Sequence, residues 1–292
     1  MRRLLWHASG YLQIIRPHLF VLSIPSYLFE FFLIHGRAAS AAEIARPMLV
    51  LWLIYSFGMV LNDWADWPAD QVNFPRRPIP SGRVHPRVAL PLSLGLAVLA
   101  IAGAASVGPR MQAVALITVL ASSAHFGILK DRYRLVGLVE GMTSAISVLT
   151  FALFWAAFAP FDRRAGFLFA TVFLLNFALD SVGAIRDLDG DAVRNYRSVA
   201  VAWGRSAGAY VAFGALLLAA PVAVLLARTS GLVLSAPLLV TVAAFGTACA
   251  GLLLYLIKYP TREVAYRLFV AFWVLIATAP GSLYLLGVRG LG

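Results

Sequence analysis

Charge is scarce in this sequence. Asp, Glu, Lys and Arg make up 13% of its 292 residues, about half the share of a soluble domain. A chain so poor in charge cannot cover itself with a water-facing surface. Cysteine is scarcer still. The one cysteine, Cys249, lies inside an apolar run, which excludes an intrachain disulfide and any thiolate metal site. It reads as a small core residue. No small-residue cleavage site follows the opening Met-Arg-Arg, and His7, Arg16 and His18 interrupt the apolar stretch behind it. No cleaved leader is expected. No polar linker divides the chain, so residues 1–292 are expected to form a single membrane domain.

Apolar residues are abundant. Hydrophobic side chains reach 61% and the mean hydropathy is +0.83, so lipid is the solvent for most of the chain. Nine apolar runs are long enough to span or nearly span a bilayer: 18–36, 46–62, 88–107, 111–129, 136–158, 165–184, 207–227, 232–257 and 264–287. They are continuous rather than alternating, which excludes a β-barrel. The expected fold class is all-α, a polytopic membrane protein of about nine transmembrane helices.

The net charge is +11. On a soluble protein that would suggest nucleic acid. Here the basic residues stand between apolar runs, where topology and an anionic ligand explain them better. One side holds Arg37, Arg46, Arg110, Arg163, Arg164, Arg228 and Arg289, which leaves 17 of the 24 basic residues for the other. The richer side is expected in the cytoplasm, together with the N-terminus. Acidic residues gather on that same side, in two clusters. Topology does not require this, and a ligand would explain it.

The first cluster is Asn62-Asp63-x-x-Asp66-x-x-x-Asp70, at the end of the second run. Its three carboxylates share one helical stripe. Such a stripe repels itself, and with no neutralising partner in sequence it calls for a divalent cation. Hard oxygen ligands favour Mg²⁺, which shares its remaining positions with phosphate and water. Pro68 is expected to end or tilt the helix before Asp70. The second cluster is Asp180, Asp187 and Asp191 on one stripe, with Asp189 pointing elsewhere. Asp180 lies deeper, where a charge is costly and usually functional. Either cluster alone reads equally well as a solvated helix end. Two on one face point to a site. Arg76, Arg77, Lys130, Arg132, Arg134, Arg194 and Arg197 supply the donors that a metal-bound diphosphate needs.

These residues resemble a known family. The first cluster, followed by Asn73-Phe74-Pro75-Arg76-Arg77-Pro78-Ile79-Pro80-Ser81-Gly82, is similar to the first signature of the UbiA superfamily of membrane prenyltransferases. The Arg-Pro-Ile-Pro-Ser-Gly tail resembles the branch of chlorophyll synthases and digeranylgeranylglyceryl phosphate synthases. Arg186-Asp187-Leu188-Asp189-Gly190-Asp191, with Ser198 and Gly204 downstream, resembles the second signature. Arg16-Pro17 and Leu129-Lys130 also match, so the resemblance covers nearly the whole chain.

The resemblance implies nine helices around a central cavity. It also implies Mg²⁺-assisted loss of diphosphate from an isoprenyl diphosphate, followed by alkylation of an aromatic or other lipophilic acceptor. Asn62, Asp63, Asp66 and Asp70 would hold one Mg²⁺, and Asp187 and Asp191 a second. Lys130 and Arg77 would contact the diphosphate. Asp63, Asp66, Asp187, Asp191 and Lys130 are the expected catalytic set. Arg16, Asn62, Arg76, Arg77, Arg132, Asp180 and Arg197 are the expected substrate contacts. Trp52, Tyr55, Phe57, Phe173 and Phe177 are candidates for stabilising an allylic cation through their ring faces. The family's Tyr before Leu-Lys is missing, and the segment Ser122–Ile128 offers His125 instead, as an acceptor-side base or as a packed histidine. Two other functions fit the same residues: a terpene cyclase on this scaffold, and a transporter of Mg²⁺ or an organic anion.

Overall fold

The computed structural model describes residues 2–232 and 236–289. Met1, at the predicted cytoplasmic end, residues 233–235, at the start of the eighth predicted run, and residues 290–292 lie outside the described residues. The described residues are helical, with no strand. Their helices are α1 (Arg2–Ile15), α2 (Pro17–His35), α3 (Ala41–Asn73), α4 (Pro86–Val107), α5 (Pro109–Ala124), α6 (Leu138–Phe158), α7 (Arg163–Val193), α8 (Val199–Trp203), α9 (Arg205–Thr229), α10 (Ala236–Lys258) and α11 (Arg262–Arg289). Nine spans among them are long and apolar enough to cross a bilayer, in agreement with the nine runs. The all-α polytopic class is therefore the observed one.

The helix that apolar runs do not announce is α1. It is amphipathic: Trp6, Tyr11 and Leu12 are exposed, while Ile14 is buried with Val60, Ile79, Val84 and Ala89. Its His7 ring donates to the Arg83 carbonyl at 2.8 Å. The chain breaks between α1 and α2 at Arg16, whose φ of 47° is left-handed. Pro17 follows and disfavours a right-handed helical residue before it.

Helices pack in a closed ring. Sequential neighbours touch from α2 to α7 and on through α9, α10 and α11, and α11 returns to α2. Small residues set the close approaches, as expected where lipid gives no hydrophobic drive between helices. Ala89, Ser93, Ala97, Ala100 and Ala104 are buried on α4, and Ser93 donates to the Phe57 carbonyl of α3. Gly208, Ala209, Ala212, Ala215 and Ala219 are buried on α9, the helix that packs along α7.

Two helices are much longer than a bilayer needs. α3 has 33 residues and α7 has 31, roughly 45–50 Å at 1.5 Å per residue. The hydrocarbon core is about 30 Å thick. Each helix therefore carries its last turns beyond the hydrocarbon, and those turns hold the two acidic clusters. α7 touches α3, α6, α9 and α11. Phe173, Asn176, Phe177 and Asp180 are nonetheless only half-buried. They lie below the acidic ends along α7.

Candidate active site

Pro68 does not end α3. The helix runs through it to Asn73, which corrects the expected break and keeps Asn62, Asp63, Asp66 and Asp70 on one continuous stripe. The stripe is not bare, contrary to the expectation from local sequence. Asp63 is paired with Arg16, at the start of α2. Asp66 receives Lys130 Nζ on both oxygens, at 2.8 and 2.6 Å. Asp70 receives Arg77 on both, at 2.7 and 2.8 Å. Asn62 lies at the edge of this set, its Oδ1 3.4 Å from Lys130 Nζ.

The second cluster ends α7. Asp187 is gripped by its neighbour Arg186 through two 2.6 Å bonds. The Arg186 guanidinium lies between the rings of Phe269, 4.0 Å away, and Phe74, 5.1 Å away. Asp189 does point elsewhere. It meets Arg205 at 3.5 Å and Arg262 at 3.4 Å, which fastens α7 to α9 and α11. Asp180 sits two turns deeper and accepts a 2.6 Å bond from Ser144 of α6.

One side chain joins the clusters. Asn73 Nδ2 donates to the Asp187 carbonyl at 2.7 Å, and its Oδ1 accepts from the Gly190 N–H at 3.0 Å. A side chain at Gly190 would overlap Asn73 and the Ala69 carbonyl, so only glycine lets α7 approach this closely. Arg77 and Lys130 occupy the space between the acidic ends. Burial works against the Arg77 charge, but Asp70, Asp63 and Asp187 outweigh it and raise its pKa. Lys130 behaves alike: burial opposes its ammonium, and Asp66, Asp191 and Asp187 hold it charged. Each cation therefore feels both clusters.

Three predicted contacts stay outside this set. Arg76, Arg132 and Arg197 are exposed, and none has a side-chain partner among the described residues. Arg76 and Arg197 contribute their carbonyls to loop packing instead, to Arg83 and to Gly137. His125 is fully buried in a π-helical turn, His125–Leu129. Its ring bonds Tyr133 and Thr143, each at 3.1 Å, which is the packed arrangement. Among the aromatics, Phe57 is buried in helix packing with Leu61, Ala97 and Phe126. Trp52 and Tyr55 pack against a neighbouring cluster. Phe173 and Phe177 stack at 5.9 Å along α7.

Sequence reasoning missed Asn73, Arg186 and Tyr196. Tyr196 is 1% exposed and donates from its hydroxyl to Asp66 at 2.9 Å. Asn73 had a signal, since it extends the Asp66 and Asp70 stripe by one turn. Nothing local announced Tyr196.

The arrangement offers hard oxygens for a metal and buried cations for an anion. Among the described residues no three acidic, His or Cys groups are gathered tightly enough to hold an ion alone. Two carboxylates still have spare capacity. Asp63 Oδ2 is buried without a hydrogen-bond partner, and Asp191 has no side-chain partner among the described residues. Mg²⁺ fits such a set, because it takes few carboxylates and completes its octahedron with phosphate oxygens and water.

A model of the UbiA prenyltransferase family matches residues 22–276. The chain belongs to that family. This UbiA-family enzyme is a membrane prenyltransferase. It is 28% identical over 218 residues to the digeranylgeranylglyceryl phosphate synthase of Sulfolobus acidocaldarius, covering 73% of this chain and 77% of the relative. It is 28% identical over 180 residues to the synthase of the same name from Methanopyrus kandleri, covering 62% and 65%. A solved digeranylgeranylglyceryl phosphate synthase superposes with a TM-score of 0.71 at 19% identity, over 99% of this chain and 100% of the other. A UbiA homologue from Archaeoglobus fulgidus, bound to DMAPP and Mg²⁺, superposes with a TM-score of 0.68 at 14% identity, over 96% and 99%.

Proposed function

We propose that this enzyme moves an isoprenyl group from an isoprenyl diphosphate to a lipophilic acceptor, with diphosphate and two Mg²⁺ ions held between the ends of α3 and α7. The observation that carries the reading is the pair of facing acidic ends with Arg77 and Lys130 between them. Asn62, Asp63, Asp66 and Asp70 would hold one ion, and Asp187 and Asp191 the other. Bound Mg²⁺ would neutralise the charge that builds on the departing diphosphate. On loading, the carboxylates would hold the metal, and Arg16, Arg77, Lys130 and Arg186, now paired with carboxylates, would hold the diphosphate oxygens. Arg76, Arg132 and Arg197, exposed on loops, would attract the anion at longer range. The apolar interior excludes water from the allylic cation, and Phe173 and Phe177 present ring faces to it. Asp180, held by Ser144, would contact the substrate from below.

The names of the Sulfolobus and Methanopyrus relatives favour an acceptor of the glycerol phosphate lipid class. The asymmetry of the basic residues favours a site on the cytoplasmic side. The adjacent Arg163 and Arg164 on the opposite side oppose that placement by the positive-inside rule, but the loops on either side, 130–135 and 185–206, carry more positive charge.

The test is incubation of the purified protein with panels of prenyl diphosphates and acceptors, read by mass spectrometry. A prenylated acceptor is the expected product. A cyclic hydrocarbon formed without acceptor would replace this reading with a cyclase.

A further inference from the structure

Residues 194–199 cross from the second acidic cluster to the first. The chain turns back as soon as α7 ends. Arg194 N–H donates to the Gly190 and Asp191 carbonyls at 3.3 and 3.2 Å. Asn195 takes a left-handed backbone with φ 56°, a conformation Asn tolerates better than most residues. Tyr196 N–H then returns to the Asp191 carbonyl at 3.0 Å. From there the segment is fastened to α6. The Arg197 carbonyl accepts from Gly137 N–H at 3.0 Å, and Glu140 Oε1 accepts from Val199 N–H at 2.7 Å. The outcome is a buried tyrosine that belongs to the second cluster in sequence and reaches the first in space.

Asp66 is divided unequally between its partners. Oδ1 accepts both the Tyr196 hydroxyl at 2.9 Å and Lys130 at 2.8 Å. Oδ2 accepts Lys130 alone, at 2.6 Å. The Lys130 ammonium also lies 4.8 Å from the centre of the Tyr196 ring. Once Lys130 turns to a diphosphate, Oδ2 is left bare while Oδ1 keeps its phenol. Mg²⁺ demands near-ideal octahedral geometry, and a hydrogen bond on the far oxygen of a ligating carboxylate fixes the orientation of the near one.

We propose that Tyr196 is a positioning residue for the metal site on α3: its hydroxyl pins Asp66 through Oδ1, so that Oδ2 faces the ion. This rests on the reading of Asp66 as a Mg²⁺ ligand. Tyr196→Phe isolates the hydroxyl, because the ring that faces Lys130 is kept.

The experiment measures Mn²⁺ binding to the purified protein by electron paramagnetic resonance, with inorganic diphosphate present. Tyr196→Phe should weaken binding about tenfold or more. Asp66→Asn should weaken it further. The double variant should bind no worse than Asp66→Asn alone, because the hydroxyl acts only through that carboxylate. Wild-type affinity in Tyr196→Phe beside a loss in Asp66→Asn would overturn the role of Tyr196 and leave the metal reading standing. Wild-type affinity in Asp66→Asn would bring down the metal reading, and the role of Tyr196 with it. Additive losses in the double variant would also overturn the proposal, since Tyr196 would then act elsewhere.

Discussion

Asn73 and Gly190 lock α3 to α7 at the level of the active site. The Asn73 amide reads both a carbonyl and an N–H of the α7 backbone, and the missing side chain at Gly190 is what admits it. Asn73→Ala removes both of its bonds to the α7 backbone. The expected cost is about 1–3 kcal/mol, read as a lower thermal unfolding midpoint in detergent. Gly190→Ala should lower it further, because Asn73 and the Ala69 carbonyl would both have to move. A Gly190→Ala protein as stable as wild type would show that the two helices are not held at this point.

Asp63→Ala, Asp66→Ala and Asp187→Ala should each cut diphosphate release below about a tenth of wild type while the protein still inserts and folds. Each removes a proposed metal ligand and also frees a cation, Arg16, Lys130 or Arg186, from its resting partner. The assay is colorimetric or radiochemical detection of released diphosphate, beside size-exclusion chromatography of the purified variants. Near-normal turnover in all three would remove the metal assignment.

Turnover should vanish with EDTA and return with Mg²⁺. Mn²⁺ should restore it in part and Ca²⁺ poorly, because the larger ion prefers a longer and less regular oxygen shell. Full activity in chelator-treated, metal-free buffer would contradict the proposed chemistry.

The two ends of α7 should lie on opposite sides of the membrane, with the acidic end inside. Phe161 and Val193 are both exposed, 55% and 63%, and neither is charged, so replacing them leaves the topology signal intact. In a Cys249→Ser background, Phe161→Cys should react with an impermeant thiol reagent in intact cells, and Val193→Cys should not. The reverse pattern would invert the orientation without touching the site itself.

The helix count was legible because bilayer thickness writes itself directly into run length. The acidic stripes were legible for a similar reason: α-helical spacing places Asp63, Asp66 and Asp70 together whatever surrounds them. Pro68 misled: a proline inside a helix removes a backbone bond, yet α3 continues through it to Asn73. The partners of the stripe were not legible. Arg16, Lys130 and Tyr196 come from positions 47, 64 and 130 residues away from the carboxylates they meet, and no local period encodes such distances. α1 was hidden by its own amphipathicity, because a helix with one polar face has no continuous apolar run.

The pairing of every first-cluster carboxylate with a basic side chain bears on how the catalytic cycle ends. On the proposed function, diphosphate and its ions are the most highly charged species in the reaction, and they would leave a site lined by part-buried side chains. If the vacated groups had to stand alone, departure would leave poorly hydrated charges without partners. Here Arg77 can fall back on Asp70, Lys130 on Asp66 and Arg16 on Asp63. In the proposed cycle the protein would thus compete with diphosphate and metal for its own charges, and that internal competition would favour product release.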